Sequence, residues 1–149
     1  MAKIDTMDFD YKVSAYLALK QANDFKRTAE LAYDNKLSFP GMVNIAFSCE
    51  LYMKAYLMWT RKSDLVIKKH LLAELFEMID LETQNRIRTE SGIQNWDTFL
   101  SESSDAFRQW RYYFEKDTVL FGHIGGLHKL ADMLDVICSE NITMEAALQ

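Results

Sequence analysis

Apolar residues recur at three- and four-residue spacing through most of this chain, the period of a helix buried along one side. From about Phe9 to Asn35, the positions Val13, Tyr16, Leu17, Leu19 with the Lys20 stem, Ala22, Phe25, Ala29, Ala32 and Tyr33 follow that spacing, and Asn35 and Lys36 end it. A second helix is predicted from about Phe39 to Arg61. Ser38 or Phe39 stands at its cap, and Pro40 falls in the first turn, where a missing N–H costs nothing. Met42, Ile45, Ala46, Cys49, Met53, Tyr56 and Leu57 make its apolar stripe continuous. Ser63-Asp64 marks a turn. A third, shorter helix spans about Lys69 to Ile79, and Asp80 caps a further piece, Leu81 to Thr89, that stops at Ser91-Gly92. The fourth begins at Asn95 as N-cap and runs to about Asp117, with Trp96, Phe99, Leu100, Phe107, Trp110, Arg111 and Phe114 on one face. The fifth starts after Gly122 or Gly125-Gly126 and ends near Glu140, carrying Leu127, Leu130, Ala131, Leu134, Ile137 and Cys138.

Long helices joined by short loops pack as antiparallel neighbours. The expected architecture is therefore all-α, an up-and-down bundle of four to five helices. It forms one domain over residues 1–149, with a core over about 9–140 and a tail, 141–149, that adds a turn or frays. The second and fourth helices are the most apolar and are expected at its centre. A hydrophobic share of 49% supports a core at this length. Five glycines and one proline disfavour an all-β domain rich in tight turns.

A net charge of −5 argues against a nucleic-acid binder with a broad basic face. Lys68-Lys69-His70 and Arg86-Ile87-Arg88 are the short basic clusters, each read most simply as a solvated helix end. Cys49 and Cys138 lie in apolar helical patterns without CxxC spacing, as buried free thiols of a reducing cytoplasm would. No signal-peptide pattern follows Met1, and no stretch reaches the roughly 20 apolar residues of a membrane span. A cytoplasmic protein that does not enter the membrane is expected.

Against this pattern stand polar residues on apolar helix faces. Glu50 and Lys54 are four residues apart on the second helix, His70 opens the third, and Arg111 and Glu115 are four apart inside the aromatic run Phe107 to Phe114. Charges in apolar surroundings must find partners. Glu50 can share Lys54 and Arg111, and Glu115 can share Arg111. Such a network either fixes helix register or floors a site for an anionic ligand or an RNA phosphate. His70 is either a capping or surface residue or an acid–base group, which would need further partners. His123 and His128 are five apart and lack a helical metal-ligand pattern, so neither a metal nor a cofactor is expected.

At these residues the chain resembles the HEPN superfamily of helical bundle proteins. The matching pieces are Ser48-x-Glu50-Leu51-x-x-Lys54-Ala55, His70-x-Leu72-x-x-Leu75-Phe76 and Phe107-x-x-Trp110-Arg111-Tyr112-x-Phe114-Glu115, in that order over roughly residues 10 to 138. The resemblance implies a bundle that dimerises, in a prokaryotic toxin–antitoxin, phage-defence or nucleotidyltransferase-associated setting. Many members of that superfamily are metal-independent ribonucleases, marked by an arginine followed four to six residues later by a histidine. Here no histidine falls in that window after Arg108 or Arg111, and His123 is twelve residues past Arg111. The expectation is therefore a non-catalytic HEPN-like module that dimerises and binds a partner protein, a nucleotide or RNA. An antitoxin or a nucleotidyltransferase would be such a partner. Two alternatives stay open: a ribonuclease with a divergent site using Arg111, Glu115 and His70, and a purely structural helical domain.

Overall fold

A computed structural model describes residues 10–105 and 123–149. The described residues form seven helices and no strand: α1 (Tyr11–Asp34), α2 (Ser38–Arg61), α3 (Leu72–Met78), α4 (Leu81–Glu90), α5 (Trp96–Ser103), α6 (Ile124–Ser139) and α7 (Met144–Ala147). The all-α class is as expected; beyond the five main helices the described residues include the Asp80-capped piece as α4 and a turn of the tail as α7. None of the described helices is long and apolar enough to cross a membrane.

Helices α1 and α2 form an antiparallel hairpin. Tyr11 meets the Trp59 ring edge-on, the Ser48 hydroxyl donates to the Ala22 carbonyl, and Gly41 packs beside Ala32. The Asp10 carboxylate starts α1 by accepting from the backbone N–H groups of Lys12 and Val13. Between the helices the chain turns in three residues. Lys36 takes a left-handed conformation (φ 60°), and the Leu37 N–H closes back onto the Ala32 carbonyl at 2.8 Å. Leu37 is the cap residue of α2, in place of Ser38 or Phe39, and caps by backbone alone.

The buried face of α1 is a seam of small residues, Ala15, Ala18, Ala22, Ala29 and Ala32, with Leu19. Alanines let two backbones approach closely along this seam, and the larger Tyr11 and Phe25 meet Trp59 and Phe47 of α2 beside it. Leu17 and Tyr33 fall off it and are exposed. On the other side of the hairpin, α2 is buried almost all round, from Gly41 to Met58. It packs against α1, α3 and α6. The Cys49 thiol donates to the Leu127 carbonyl and the Cys138 thiol to the Tyr52 carbonyl, tying α2 to α6. Both thiols are free and buried, and burial holds both well above the usual thiol range. Lys26 joins α1 to α6 through Asp132 at 2.8 Å and Asp135 at 3.3 Å. The expectation that the second and fourth helices share the centre holds for α2. The described part of the predicted fourth helix is only α5, which packs on α3, and the rest lies outside the described residues.

Further boundaries move for local reasons. Helix α3 starts at Leu72, not Lys69, so His70 precedes it in an extended stretch. Asn95 takes the N-cap position of α5 but in a left-handed conformation (φ 52°), and its side chain makes no capping bond. Gly125 and Gly126 form no turn; both lie inside the first turn of α6. They differ in surroundings. A Cβ on Gly125 would meet nothing within 4 Å, whereas one on Gly126 would lie 2.6 Å from Phe99 Cε2, a buried ring. Gly125→Ala is expected to stabilise by about 0.5–1 kcal/mol through helix propensity. Gly126→Ala is expected to cost about 1–2 kcal/mol net, because overpacking outweighs the same gain. Thermal melts of the two variants should shift in opposite directions; a shared sign would refute the close approach at Gly126.

Asp80 caps α4 as expected, and does more. Its carboxylate accepts from the Thr83 N–H at 3.0 Å, the Thr83 hydroxyl at 2.8 Å and the Tyr56 hydroxyl of α2. Burial pushes its pKa up, but these hydrogen bonds outweigh burial and hold the carboxyl below the usual range. Burial and the same carboxylate push the Tyr56 hydroxyl up to about 12. Asp80→Ala is expected to cost about 1–2 kcal/mol at neutral pH. A depressed folded-state pKa gives stability that is present above the unfolded value, near 3.9, and lost as pH falls through the folded value. The gap between wild type and Asp80→Ala in urea unfolding should therefore stay level from about pH 7 to 5 and shrink below about pH 4. A gap that widens on acidification would contradict this.

Candidate functional site

Glu50 and Lys54 lie one helical turn apart on the most buried helix. Glu50 is 2% exposed and Lys54 7%. Lys54 Nζ lies 3.2 Å from Glu50 Oε2 and also donates to the Ile67 carbonyl at 2.9 Å. That second bond clamps the connection between α2 and α3 against α2. The connection leaves α2 through Lys62 in a left-handed conformation and arrives at His70, whose Nδ1 lies 3.4 Å from the same Glu50 Oε2. The start of α3 is fixed from the other side. Ser104, just past α5, accepts from the Leu72 N–H with its carbonyl at 3.0 Å and from the Ala73 N–H with its hydroxyl at 2.9 Å. These bonds satisfy two of the free N–H groups at a helix start.

Three of the five candidate polar residues thus meet in one cluster. Glu50 and Lys54 are inside, and the His70 side chain keeps 54% of its surface exposed. Glu50 Oε1 is buried and meets no donor among the described residues. Chemically, the cluster holds a paired carboxylate behind one ring nitrogen of an imidazole and leaves the other nitrogen, Nε2, on the partly exposed side chain. Arg111 and Glu115 lie outside the described residues, as does the expected Glu50–Arg111 pairing. His70 is not a helix cap, because Leu71 holds that position in α3.

The other histidines are placed elsewhere. His123 Nε2 lies 2.7 Å from Glu102 Oε2, with its ring edge-on to Phe99. His128 sits on α6 near the Tyr33 ring. Among the described residues no group of three or more His, Cys, Asp or Glu is arranged to hold a metal ion. The basic cluster at Arg86 is a structural tie. The Arg86 guanidinium grips both Glu140 oxygens at the end of α6 and also reaches Glu90. Arg88 lies over the Phe76 ring at 5.3 Å.

Two features escaped the sequence reading. One is the Ile67 carbonyl as a partner of Lys54, a backbone contact without a sequence signal. The other is a groove of about 570 Å³ between the α1–α2 turn and the start of α6. Its signal was Tyr33 and Leu37, apolar residues flanking a polar turn. No protein-family model, curated protein or solved structure matches the chain.

Proposed function

We propose that this protein is a HEPN-like helical bundle that works by binding, not by catalysis. It dimerises and holds a partner protein, a nucleotide or RNA in a prokaryotic toxin–antitoxin or phage-defence setting. The observation that carries this reading is the closed cluster of Glu50, Lys54 and His70. Two of the three motifs behind the HEPN resemblance converge there, from α2 and from the stretch before α3. Glu50 Oε2 meets Lys54 and His70, and the Lys54 ammonium also donates to the Ile67 carbonyl. Of its three side chains, His70 is the one substantially exposed. Cleaving RNA by attack of the 2′-hydroxyl on the adjacent phosphorus needs one group to take that proton and another to protonate the departing 5′-oxygen. One imidazole does not supply both at once.

A second reading rests on the same pair. Glu50 Oε2 behind His70 Nδ1 is an arrangement that orients an imidazole to accept a proton at Nε2. A divergent, metal-independent ribonuclease would combine it with Arg111 for phosphate charge and Glu115 for the second proton. One experiment separates the two. The purified protein, His70→Ala and Arg111→Ala are each incubated with tRNA, mRNA and total RNA in EDTA, and each variant's folding is checked by circular dichroism. The binding reading expects intact RNA throughout. It also expects a species of twice the 17.4 kDa chain mass in light scattering. Cleavage in EDTA that vanishes in both folded variants would overturn it in favour of the ribonuclease. A monomer that leaves RNA intact would remove the dimer from the proposal.

A further inference from the structure

The groove at the α1–α2 turn combines exposed apolar side chains with carboxylates. Tyr33, at the end of α1, and Leu37, in the turn, line it with 69% and 54% of their surface exposed. Its α6 wall includes His128 and Gly125. Among the described residues, the ionised groups that line it are the carboxylates Glu30 and Asp34. Burial holds the His128 imidazole below the usual histidine range, so it adds no positive charge near neutral pH. Of the cations close to it in sequence, Lys26 is held by Asp132 and Asp135, and neither Arg27 nor Lys36 is part of the lining. Large apolar side chains held open beside two carboxylates make a surface that is sticky and negative at once. Exposed apolar area of this kind marks interaction sites, and complementary charge selects what enters.

We propose that this groove docks a short segment of a partner protein that carries one large apolar side chain flanked by lysine or arginine. The apolar side chain lies against Tyr33 and Leu37, and the flanking cations meet Glu30 and Asp34. This deepens the reading of the chain as a partner-binding module, and rests on it.

The test uses a short fluorescein-labelled peptide in which leucine alternates with lysine, followed by fluorescence polarisation against the full chain. A copy with glutamate in place of lysine is the charge control, and spermidine is the small-cation control. Gly125→Phe fills the groove without altering charge, in a position where a Cβ meets nothing within 4 Å. It is expected to weaken the lysine peptide about tenfold or more, as is Tyr33→Ala, which truncates an aromatic anchor. Glu30→Lys/Asp34→Lys should do the same. Asp64→Lys/Glu77→Lys changes charge equally at exposed sites elsewhere and should leave affinity within about twofold. The proposal is overturned if the Gly125→Phe and Tyr33→Ala proteins, folded by circular dichroism, bind as wild type does. Equal binding of the glutamate peptide overturns it too, as does full displacement by spermidine at the concentration that saturates the protein, which would make this a small-cation site. The RNA assay separates the two levels of inference. Intact RNA and a dimer with no groove-dependent peptide binding sink the groove alone. Cleavage that needs His70, with peptide binding still blocked by Gly125→Phe, sinks the non-catalytic reading and leaves the groove.

Discussion

Lys54→Met is expected to lower the unfolding free energy by about 3–5 kcal/mol, the usual result of stripping one partner from a buried ion pair. The side chains of Glu50 and Lys54 retain 3% and 9% of their surface. Methionine keeps most of the lysine stem and its packing but removes the ammonium. The Glu50 carboxylate would then face the interior with Oε1 already without a described donor and Oε2 left to His70 at 3.4 Å. The substitution also releases the Ile67 carbonyl, which sits on an exposed residue and can turn to water, so that loss is small. The double variant Glu50→Leu/Lys54→Met removes both charges and is expected to regain most of the stability, since apolar replacements of buried pairs are often neutral or better. Urea unfolding with matched m-values reads both effects. A single-variant loss below about 1 kcal/mol would refute the buried pair as a stabilising element, and a double variant no better than the single would assign the loss to the Ile67 bond and not to the stranded carboxylate. A local readout accompanies the global one: with the clamp on Ile67 gone, proteolysis in residues 62–71 should accelerate even under conditions where the variant stays folded.

The reason this cluster was legible in sequence, and only in part, lies in its geometry. Glu50 and Lys54 are four residues apart, and helical periodicity alone places them together on a face that also carries Met53 and Leu57. Their partnership is local, so the sequence states it. His70 reaches Glu50 only through the path of residues 62–71, which no periodicity governs. The helix after it starts three residues later than the apolar pattern places it, at Leu72, where Ser104, distant in sequence, provides the N-terminal bonds of α3. The same division runs through the fold. The bounds of α2 and α4 were legible because apolar stripes and the Asp80 cap are local signals. The α1 seam was legible in part: Leu19, Ala22, Ala29 and Ala32 fall on the apolar stripe, whereas the burial of Ala15 and Ala18 and the exposure of Leu17 and Tyr33 depend on how closely α2 approaches. Of the two starts open for the fifth helix, α6 takes the one after Gly122, and the approach of Phe99 to Gly126, a tertiary contact, gives the reason for one of its two glycines.

Phe76→Ala is expected to cost about 3–5 kcal/mol, in the range for deleting a buried ring. Phe76 is 1% exposed, its ring centroid is 4.9 Å from that of Trp96, and the Arg88 guanidinium covers it. The consequence reaches beyond the cavity, because α3 has only seven residues. A helix that short does not persist without tertiary packing. What holds it are the two bonds from Ser104 and the side chains of Leu72, Leu75 and Phe76, of which Phe76 is the largest. Loss of the ring should therefore loosen α3 as a unit and release His70 from Glu50. Hydrogen exchange should rise across residues 72–78 by more than the global destabilisation accounts for. Phe76→Leu refills most of the space and is expected to cost about 1–1.5 kcal/mol, with α3 still protected. A Phe76→Ala cost near the 0.5 kcal/mol of an ordinary surface change would mean that the ring does not anchor α3. The Ser104 bonds would then have to hold His70 against Glu50 by themselves, and Ser104→Ala, not Phe76→Ala, would be the substitution that frees the imidazole.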